Sequence, residues 1–308
     1  MIKQILTGAA ALILVACSED TPTGEAATPA PAEQDAAASA PDAAASAEEK
    51  LDAVLAAQSD ETKARYQYRH PKETLAFFGV EPGMTVVDTL PGKVWYSGIL
   101  SDYLGADGRV IGADYSHEMW TLFGGFADEE FLKRKETWVE TWTAEMNAER
   151  GENDAPFDAF AYGSLPEDME GTADAVLVIR ASHHFNRFED EGGRFTKAVA
   201  DMMNVLKPGG VVGVVQHRAP ESNSDEWAEG DNGYVKQSRI ISFFEGAGFE
   251  FVGASEINAN PNDRPTEEEF VWRLPPTLGT SEDDPELRAK MIAIGESDRM
   301  TLKFRKPE

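Results

Sequence analysis

The stretches TVVDTLPGKVWYSGIL (residues 85–100) and VIGADYS (residues 110–116) decide the fold of this 308-residue chain. The first starts with an apolar run typical of a buried strand, passes through a Pro-Gly turn and continues as an amphipathic helix. The second is another apolar strand, and it ends in a carboxylate. Together they predict a strand-helix-strand unit, with Asp88 near the end of the first strand and Asp114 at the end of the second.

A unit of this kind binds a phosphate, a ribose or an amino-acid group over the turn that follows its first strand. An acidic side chain at the end of the second strand, here Asp114, is placed to accept both ribose hydroxyls. The turn itself keeps only Gly92. A dinucleotide-binding G-x-G-x-x-G is not completed, because Trp95 stands where its third glycine belongs. The pattern therefore favours a nucleotide-type site but not a nicotinamide dinucleotide.

Further strands alternate with helices along the rest of the chain. The alternation predicts an α/β fold with a doubly wound, mostly parallel seven-stranded sheet and flanking helices. The last two strands are too close in sequence for a full crossover helix, so the last strand is expected to be antiparallel. Beyond residues 84–88 and 110–114, the predicted strands are residues 157–162, 173–179, 211–215, 249–256 and 299–304.

Residues 116–150 have a helical pattern with recurring aromatic side chains. Their spacing is typical of a helix face that packs into a core. We therefore expect this aromatic stripe to be buried; its members are Trp120, Phe123, Phe126, Phe131, Trp138 and Trp142.

The chain begins like an exported lipoprotein. Residues 1–17 combine a lysine, an apolar run too short to span a bilayer and small residues before Cys17, the only cysteine. LVAC (residues 14–17) resembles a lipobox, which implies cleavage before Cys17 and lipid attached to its thiol. Ser18 favours sorting to the outer membrane in such proteins. Residues 18–47 lack large apolar side chains, which predicts a disordered tether.

Residues 48–308 are long enough for one α/β domain. The formal net charge is -27, and the sequence has no stripe of basic residues. Both features disfavour binding to nucleic acid or to an anionic membrane surface. Membrane association is expected through the lipid anchor only. The five histidines and the single cysteine form no zinc pattern, and no serine-nucleophile elbow or P-loop occurs. The pattern predicts neither a metal centre nor hydrolase or NTPase chemistry.

Four segments together resemble a class I S-adenosylmethionine-dependent methyltransferase. They are GMTVVDTLPG at the first strand, VIGADYS at the second, ADAVLVIRASHHF at the fourth and LKPGGVVGVV at the fifth. The chain is similar in particular to a bacterial group of predicted methyltransferases, through RHPKETLAFFGVEPGMTVVD (residues 69–88) and IGESDRMTLKF (residues 294–304). The resemblance implies S-adenosylmethionine as cofactor and methyl transfer to an acceptor, which we expect to be a small molecule.

The resemblance also implies a set of cofactor-binding residues. Asp88 takes the position that helps to hold the cofactor's amino group, and Asp114 the position that binds the ribose. Gly92, with Pro91 beside it in the turn, faces the methionine end of the cofactor. Leu90 and Val94 stand where the family's turn usually has its first and third glycines.

Two further residues follow the third strand. Ser164 falls where many methyltransferases place a polar residue near the adenine, and Leu165 would pack against that ring.

The two acidic residues also have structural interpretations that need no ligand. Asp88 could instead cap the following turn, and Asp114 could end a solvated strand.

His183 and His184 follow the fourth strand, at the edge where an acceptor would meet the methyl group. Either is a candidate catalytic base when the acceptor must lose a proton, and His217 at the end of the fifth strand is a third candidate. Structural, hydrogen-bonded histidines are the other interpretation.

A second functional hypothesis remains open. S-adenosylmethionine is made in the cytosol, whereas the leader predicts a protein outside it. The chain could therefore be a non-catalytic envelope lipoprotein with a degenerate methyltransferase fold that binds a small molecule or a protein partner. The sequence does not indicate the acceptor or the oligomeric state.

Overall fold

The carboxyl ends of five parallel strands meet at one edge of an open sheet in the computed structural model, which describes residues 40–308. The strands are β1 (Thr85–Thr89), β2 (Arg109–Asp114), β3 (Phe157–Ala161), β4 (Ala173–Ile179), β5 (Leu206–Ala219), β6 (Val235–Lys236), β7 (Glu250–Ser255) and β8 (Arg299–Arg305). Their order is β3-β2-β1-β4-β5-β8-β7, and the two-residue β6 pairs with β5 off this path.

Only the end of the sheet that holds β8 is antiparallel. β8 runs antiparallel to both β5 and β7, whereas β1, β2, β3, β4 and β5 pair in parallel. The predicted doubly wound, mostly parallel sheet and its antiparallel last strand are therefore confirmed. The seven predicted strands all occur, and β6 is the additional one.

Helices cover both faces of the sheet. They are α1 (Ala40–Ala57), α2 (Asp60–Lys63), α3 (Tyr66–Arg69), α4 (Pro71–Phe78), α5 (Trp95–Leu104), α6 (His117–Trp120), α7 (Glu129–Glu136), α8 (Trp138–Glu149), α9 (Ser182–Arg187), α10 (Arg194–Val205), α11 (Gln237–Gly246) and α12 (Pro285–Ile294). Short 3-10 helices occupy Thr121–Phe126, Glu167–Met169 and Val271–Arg273.

The two faces of β1 belong to two separate cores. Val86 packs in a core with residues of α1, α4, α5 and α8, whereas Val87 packs in a core with residues of α9, α10 and α11. Successive side chains of a strand point to opposite faces, so a strand covered on both sides must be apolar at consecutive positions. This explains the nearly continuous apolar runs of β1 and β4.

Helix α1 overlaps the segment that the sequence predicts to be a disordered tether. Helix α1 begins at Ala40, so it takes in the last eight residues of the segment predicted as a tether, residues 18–47. The leader, Cys17 and the tether up to residue 39 lie outside the described residues. Within residues 40–308, no helix has both the length and the apolar character needed to cross a membrane.

The aromatic stripe of residues 116–150 does not form one helix. Gly124 has φ 63° and ψ −137° and breaks the helical path, and Asp128 then starts α7 by accepting a hydrogen bond from the Phe131 amide at 2.8 Å. Trp120 and Trp142 are buried, as expected, but Phe126 is 71% exposed, so the prediction is wrong at this position. The break turns Phe126 away from the core.

The Lys-Pro-Gly-Gly segment before the predicted fifth strand is part of β5 in the structure. Leu206 pairs with Ala173 and Val211 pairs with Ala175, so three extra residues bulge from the ladder between them. Gly209 has φ 74° and donates its amide to the carbonyl of Lys306 at 3.1 Å. The turn chemistry was predicted, but the pairing with the C-terminal residues was not.

Gly112 gives a test of the packing between β2 and α8. A Cβ at this position would lie 2.7 Å from the ring of Trp142, so we expect Gly112→Ala to lower the free energy of unfolding by about 1–3 kcal/mol. Gly98→Ala in α5 is the matched control, since its Cβ would meet nothing within 4 Å and it should be neutral or stabilising by up to about 1 kcal/mol. Urea unfolding of the two variants measures the difference, and equal stabilities would contradict the packing described here.

Candidate functional site

The turn after β1 has an unusual backbone. Leu90, Gly92 and Val94 have φ of 56°, 54° and 54°, a region that non-glycine residues rarely adopt and that a β-branched residue adopts at a cost. A hydrogen bond fixes the backbone of Leu90: its amide donates to the carbonyl of Ala113, the penultimate residue of β2, at 2.7 Å. A backbone held in this conformation at the carboxyl edge of a parallel sheet is typical of a ligand site.

Gly92 is required by its conformation rather than by a close approach. The nearest atom to an added Cβ would be the carbonyl oxygen of Leu90 at 3.6 Å, an ordinary contact. Pro91 is buried beside it, and Lys93 is exposed. The charge of Lys93 is therefore exposed to solvent, which screens it.

Asp88 is the penultimate residue of β1 and is buried, with 3% of its surface exposed. Its Oδ2 accepts a hydrogen bond from the Ser97 hydroxyl of α5 at 2.5 Å. Burial raises the pKa of Asp88 to about 7, although the hydrogen bonds from Ser97 oppose the shift. A carboxyl of this kind is half ionised near neutrality, and a nearby cation would complete its ionisation.

Asp114 lies at the carboxyl end of β2, on the neighbouring strand, and is 2% exposed. Its Oδ1 accepts from the Tyr115 amide at 2.8 Å, and its Oδ2 accepts from the Lys135 ammonium at 2.6 Å. Burial raises the pKa of Asp114, and the charge of Lys135 opposes that shift. The carboxylate predicted to bind ribose is thus already paired within the chain.

Lys135 reaches Asp114 from α7 through a set of aromatic rings. Its ammonium lies 4.5 Å from the ring centre of Trp120, 5.4 Å from that of Phe131 and 5.5 Å from that of Trp138. Such cation–π contacts compensate part of the desolvation of a half-buried ammonium. The aromatic stripe therefore holds Lys135 over Asp114 in addition to filling the core.

Two tyrosines cross the site. The Tyr162 hydroxyl, after β3, lies 2.7 Å from the Thr89 hydroxyl at the end of β1. The Tyr115 hydroxyl donates to the carbonyl of Ala181 at 3.1 Å and lies 3.0 Å from His184 Nδ1. Tyr115 thereby joins the β2 side of the site to the β4 side.

Ser164 borders a cleft of about 390 Å³ next to this region. The cleft lies beyond the ends of β2 and β3, and Ser116, Met119 and Arg194 also line it. Leu165 is half-buried and packs against the core below. The cleft therefore lies at the position where the resemblance implies the adenine-binding site.

The three candidate histidines lie together at the edge beyond β4 and β5. The rings of His183 and His184 are 3.9 Å apart between centres, and those of His183 and His217 are 5.6 Å apart. His183 Nδ1 lies 3.1 Å from Gln216 Oε1, and His217 Nδ1 lies 2.5 Å from the Ser297 hydroxyl. Each of the three rings therefore has a polar partner, as a structural histidine would.

Burial keeps these histidines neutral. It lowers the pKa of His183 to about 4 and the pKa values of His184 and His217 well below the usual range. In this closed arrangement each ring is a weak base at pH 7. The predicted catalytic assignment of His183 and His184 stays a prediction.

The structure also brings in residues that the sequence did not single out. Lys135 and Tyr162 approach Asp114 and Thr89 only through the tertiary fold, with no local pattern to mark them. Tyr115 directly follows Asp114 in VIGADYS, and that position is a signal that could have been used. Within residues 40–308, no group of three or more His, Cys, Asp and Glu side chains is arranged to hold a metal ion.

Solved structures with a similar arrangement were found at low sequence identity. The [4+2]-cyclase SpnF is 16% identical over 78% of this chain and 80% of its own, with a TM-score of 0.46. A geranyl diphosphate methyltransferase in complex with SAM is 14% identical over 83% and 94%, with a TM-score of 0.45. A SAM dependent methyltransferase from Aquifex aeolicus is 16% identical over 68% and 93%, with a TM-score of 0.42.

The chain has a Rossmann-like methyltransferase fold. The features that define this fold in the chain are the strand order β3-β2-β1-β4-β5-β8-β7 and the antiparallel β8. No protein-family model matches the sequence, and a search of curated proteins gives no significant match.

The raised pKa of Asp88 predicts a pH dependence of stability. Asp88 binds its proton more tightly in the folded chain, where its pKa is about 7, than in the unfolded chain, where an aspartate has a pKa of 3.8. The free energy of unfolding should therefore fall as the pH rises from about 4 to 7 and level off above that, by a contribution on the order of 4 kcal/mol.

Asp88→Asn should remove that slope and be the more stable protein at pH 8. The measurement is urea unfolding between pH 4.5 and 8.5, a range chosen to span roughly the titration of a carboxyl shifted in this way. Asp158→Asn, which removes a partly exposed carboxylate from β3, controls for the loss of a charge. A slope in Asp88→Asn equal to that of the wild type would contradict the burial of an ionisable Asp88.

Proposed function

We propose that the chain is an S-adenosylmethionine-dependent methyltransferase that acts on a small-molecule acceptor. The observation that carries the proposal is the pair of buried carboxylates, Asp88 and Asp114, that end the adjacent parallel strands β1 and β2 on either side of the strained turn. Ligands of open α/β sheets bind at such an edge.

Each part of the cofactor would have a chemical partner there. Asp88 would pair with the ammonium of the methionine moiety, and Asp114 would accept the ribose hydroxyls. The cleft beside Ser164 and Leu165 would take the adenine, and the turn at Pro91 and Gly92 would face the methionine end. These assignments rest on the placement of the residues at one edge, and the cofactor supplies an activated methyl group when bound.

The protein's part in methyl transfer is mainly alignment. With the cofactor held by Asp88, Asp114 and the turn at Gly92, methyl transfer would be an in-line displacement, and the chain would contribute by holding the acceptor in line with the methyl group. His183 and His184 face the β4 side of this edge, where an acceptor proton would be taken up if one must leave. Since burial lowers the pKa of His183 to about 4, an acceptor that is already deprotonated suits the site best.

Cofactor binding requires a change at Asp114. Its Oδ2 is occupied by Lys135, so the ammonium must move aside or share the carboxylate before ribose hydroxyls can bind. This pairing is also the observation that favours a second candidate function. In that alternative the chain is a non-catalytic envelope lipoprotein, and Lys135 closes the former cofactor site.

Calorimetry with S-adenosylmethionine and S-adenosylhomocysteine separates the two candidates. For the full chain in detergent we expect binding that Asp114→Asn weakens by about 1–3 kcal/mol, because a hydrogen-bonded charged group is lost from a buried site. Asp158→Asn should bind like the wild type. An absence of binding at millimolar ligand in both the wild type and Lys135→Met would refute the methyltransferase and favour the non-catalytic protein.

Proton release gives a second readout in the same experiment. The cofactor's ammonium beside Asp88 should lower the pKa of Asp88 from about 7, so binding at pH 6 should release a proton. Titrations in two buffers of different ionisation enthalpy detect it. Asp88→Asn should abolish the release, and an unchanged release would show that the ammonium binds elsewhere.

We further propose that the chain is lipid-anchored at Cys17 on the periplasmic face of the outer membrane. The support is the LVAC segment, the preceding short apolar run and the single cysteine. Several acyl chains would hold the protein firmly, at about 0.8 kcal/mol for each buried methylene.

Cys17→Ser should abolish membrane attachment, because it removes the thiol that would carry the lipid. Cell fractionation with detection of the protein measures the effect. Ser18→Ala keeps the thiol, so it is the control for a substitution next to the lipidation site and should remain attached. Undiminished attachment of Cys17→Ser would exclude lipidation as the anchor.

A further inference from the structure

Four arginines from distant parts of the chain gather at the carboxyl edge of the sheet, beside the proposed cofactor turn. Arg65 and Arg69 flank and end α3, Arg180 directly follows β4, and Arg299 begins β8. We call these four residues the arginine cluster. Arg69 and Arg299 are buried, with 9% and 2% of their surfaces exposed, and Arg65 and Arg180 are half-buried.

Among the leading influences on the pKa values of Arg69 and Arg180, the charge of Glu296 opposes the lowering caused by burial and by the neighbouring arginines. Glu296 is itself committed to the other two arginines. Its Oε1 accepts from Arg65 Nε at 2.6 Å, and its Oε2 pairs with the guanidinium of Arg299. Glu296 therefore pairs with only two of the four arginines.

Arg69 and Arg180 form no ion pair with any carboxylate among residues 40–308. The Nε atoms of Arg69, Arg180 and Arg299 are buried and have no hydrogen-bond partner within the same residues. Arg69 stacks on the ring of Trp95, with 4.5 Å from its guanidinium carbon to the ring centre. Buried donors without acceptors are uncommon in folded proteins and costly.

Burial and mutual repulsion destabilise the charged forms of two arginines of the cluster. Burial, reinforced by the neighbouring arginines, lowers the pKa of Arg69 to about 10 and that of Arg180 to about 9. An anion between them would relieve both effects. Arg180 also has φ 58°, a conformation that non-glycine residues keep mainly at functional sites.

The cluster lies next to the three candidate histidines. Arg180 is three residues before His183, and Arg299 is directly opposite His217 in the β5–β8 ladder. This is the half of the edge beyond β4, whereas the proposed cofactor groups end β1 and β2. An acceptor placed in this half would face the methyl group across the turn.

We propose that the arginine cluster binds an oxyanion group, a carboxylate or a phosphate, of the acceptor molecule. The planar donors of several arginines match the oxygens of either group, and such pairs gain both charge and hydrogen bonds. The assignment to the acceptor rests on the proposed function; the anion site itself does not.

The charge of the cofactor argues that the anion belongs to the acceptor. S-adenosylmethionine carries a sulfonium, an ammonium and one carboxylate, so it is a net cation when bound. Its carboxylate alone would leave most of the cluster uncompensated and would bring two further positive charges close by. An anionic acceptor supplies the missing negative charge beside the methyl group.

The first test measures binding of inorganic phosphate and of acetate to the full chain in detergent, by calorimetry at constant ionic strength. We expect one of the two probes to bind, and the one that does identifies the oxyanion. Arg69→Gln and Arg180→Gln should each weaken that binding about tenfold or more, since each removes a charge-assisted hydrogen bond. Arg134→Gln, a 63% exposed arginine of α7, is the matched control and should bind as the wild type does.

Thermal unfolding shows whether each variant is folded, so that a loss of binding is not confused with a loss of structure. Without an anion, Arg180→Gln should melt at or above the wild-type temperature, because it removes a poorly compensated buried charge. It should also lose the rise in melting temperature that the bound probe gives the wild type. If neither probe binds, or if both variants bind like Arg134→Gln, the anion site is refuted.

The second test assigns the anion to its source. With S-adenosylhomocysteine saturating, an acceptor site should still bind the probe. If S-adenosylhomocysteine instead competes with the probe, and Arg69→Gln removes the competition, the cluster holds the cofactor's carboxylate and the acceptor assignment is overturned. If the probe binds through the arginines while neither cofactor form binds at all, the anion site stands and the methyltransferase proposal fails.

Discussion

The parallel pairing of β2, β1 and β4 is the constraint on which the rest of the site depends. It brings the carboxyl ends of the three strands to one edge, so that Asp114, Asp88 and Arg180 become neighbours although they are 26 and 92 residues apart along the chain. Both faces of these strands are buried, so a slip of one residue would exchange the two cores. The register that stabilises the sheet therefore also positions the charged groups.

Negative charge ends β1 and β2, whereas positive charge gathers beyond β4. This separation suits a pair of ligands of opposite net charge, a cationic donor and an anionic acceptor. The pair of Asp114 and Lys135 belongs to the same arrangement, since Lys135 places one cation on the side of the edge where the carboxylates lie. The ribose hydroxyls of the proposed cofactor and the ammonium of Lys135 would then compete for the carboxylate of Asp114.

Much of the fold was predictable from the sequence, because it depends on local patterns. Apolar runs predicted all seven long strands, and the positions of Asp88, Gly92 and Asp114 within the strand-turn-helix segment were read correctly from neighbouring residues. What could not be predicted depends on contacts over long separations. Lys135 meets Asp114 across 21 residues and Arg65 meets Glu296 across 231, and no periodicity records such contacts. The break at Gly124, which exposes Phe126, interrupts a pattern that continues through it in the sequence.

The stacking of Arg69 on Trp95 connects the proposed anion site to the turn after β1. Trp95 is the first residue of α5 and follows Val94, the last left-handed residue of the turn over which the donor would lie. An anion that draws Arg69 away from the indole would release one side of that turn, and a donor that orders the turn would fix Arg69 in return. The affinities of the two ligands would then be linked reciprocally, each ligand changing the affinity of the other by the same factor.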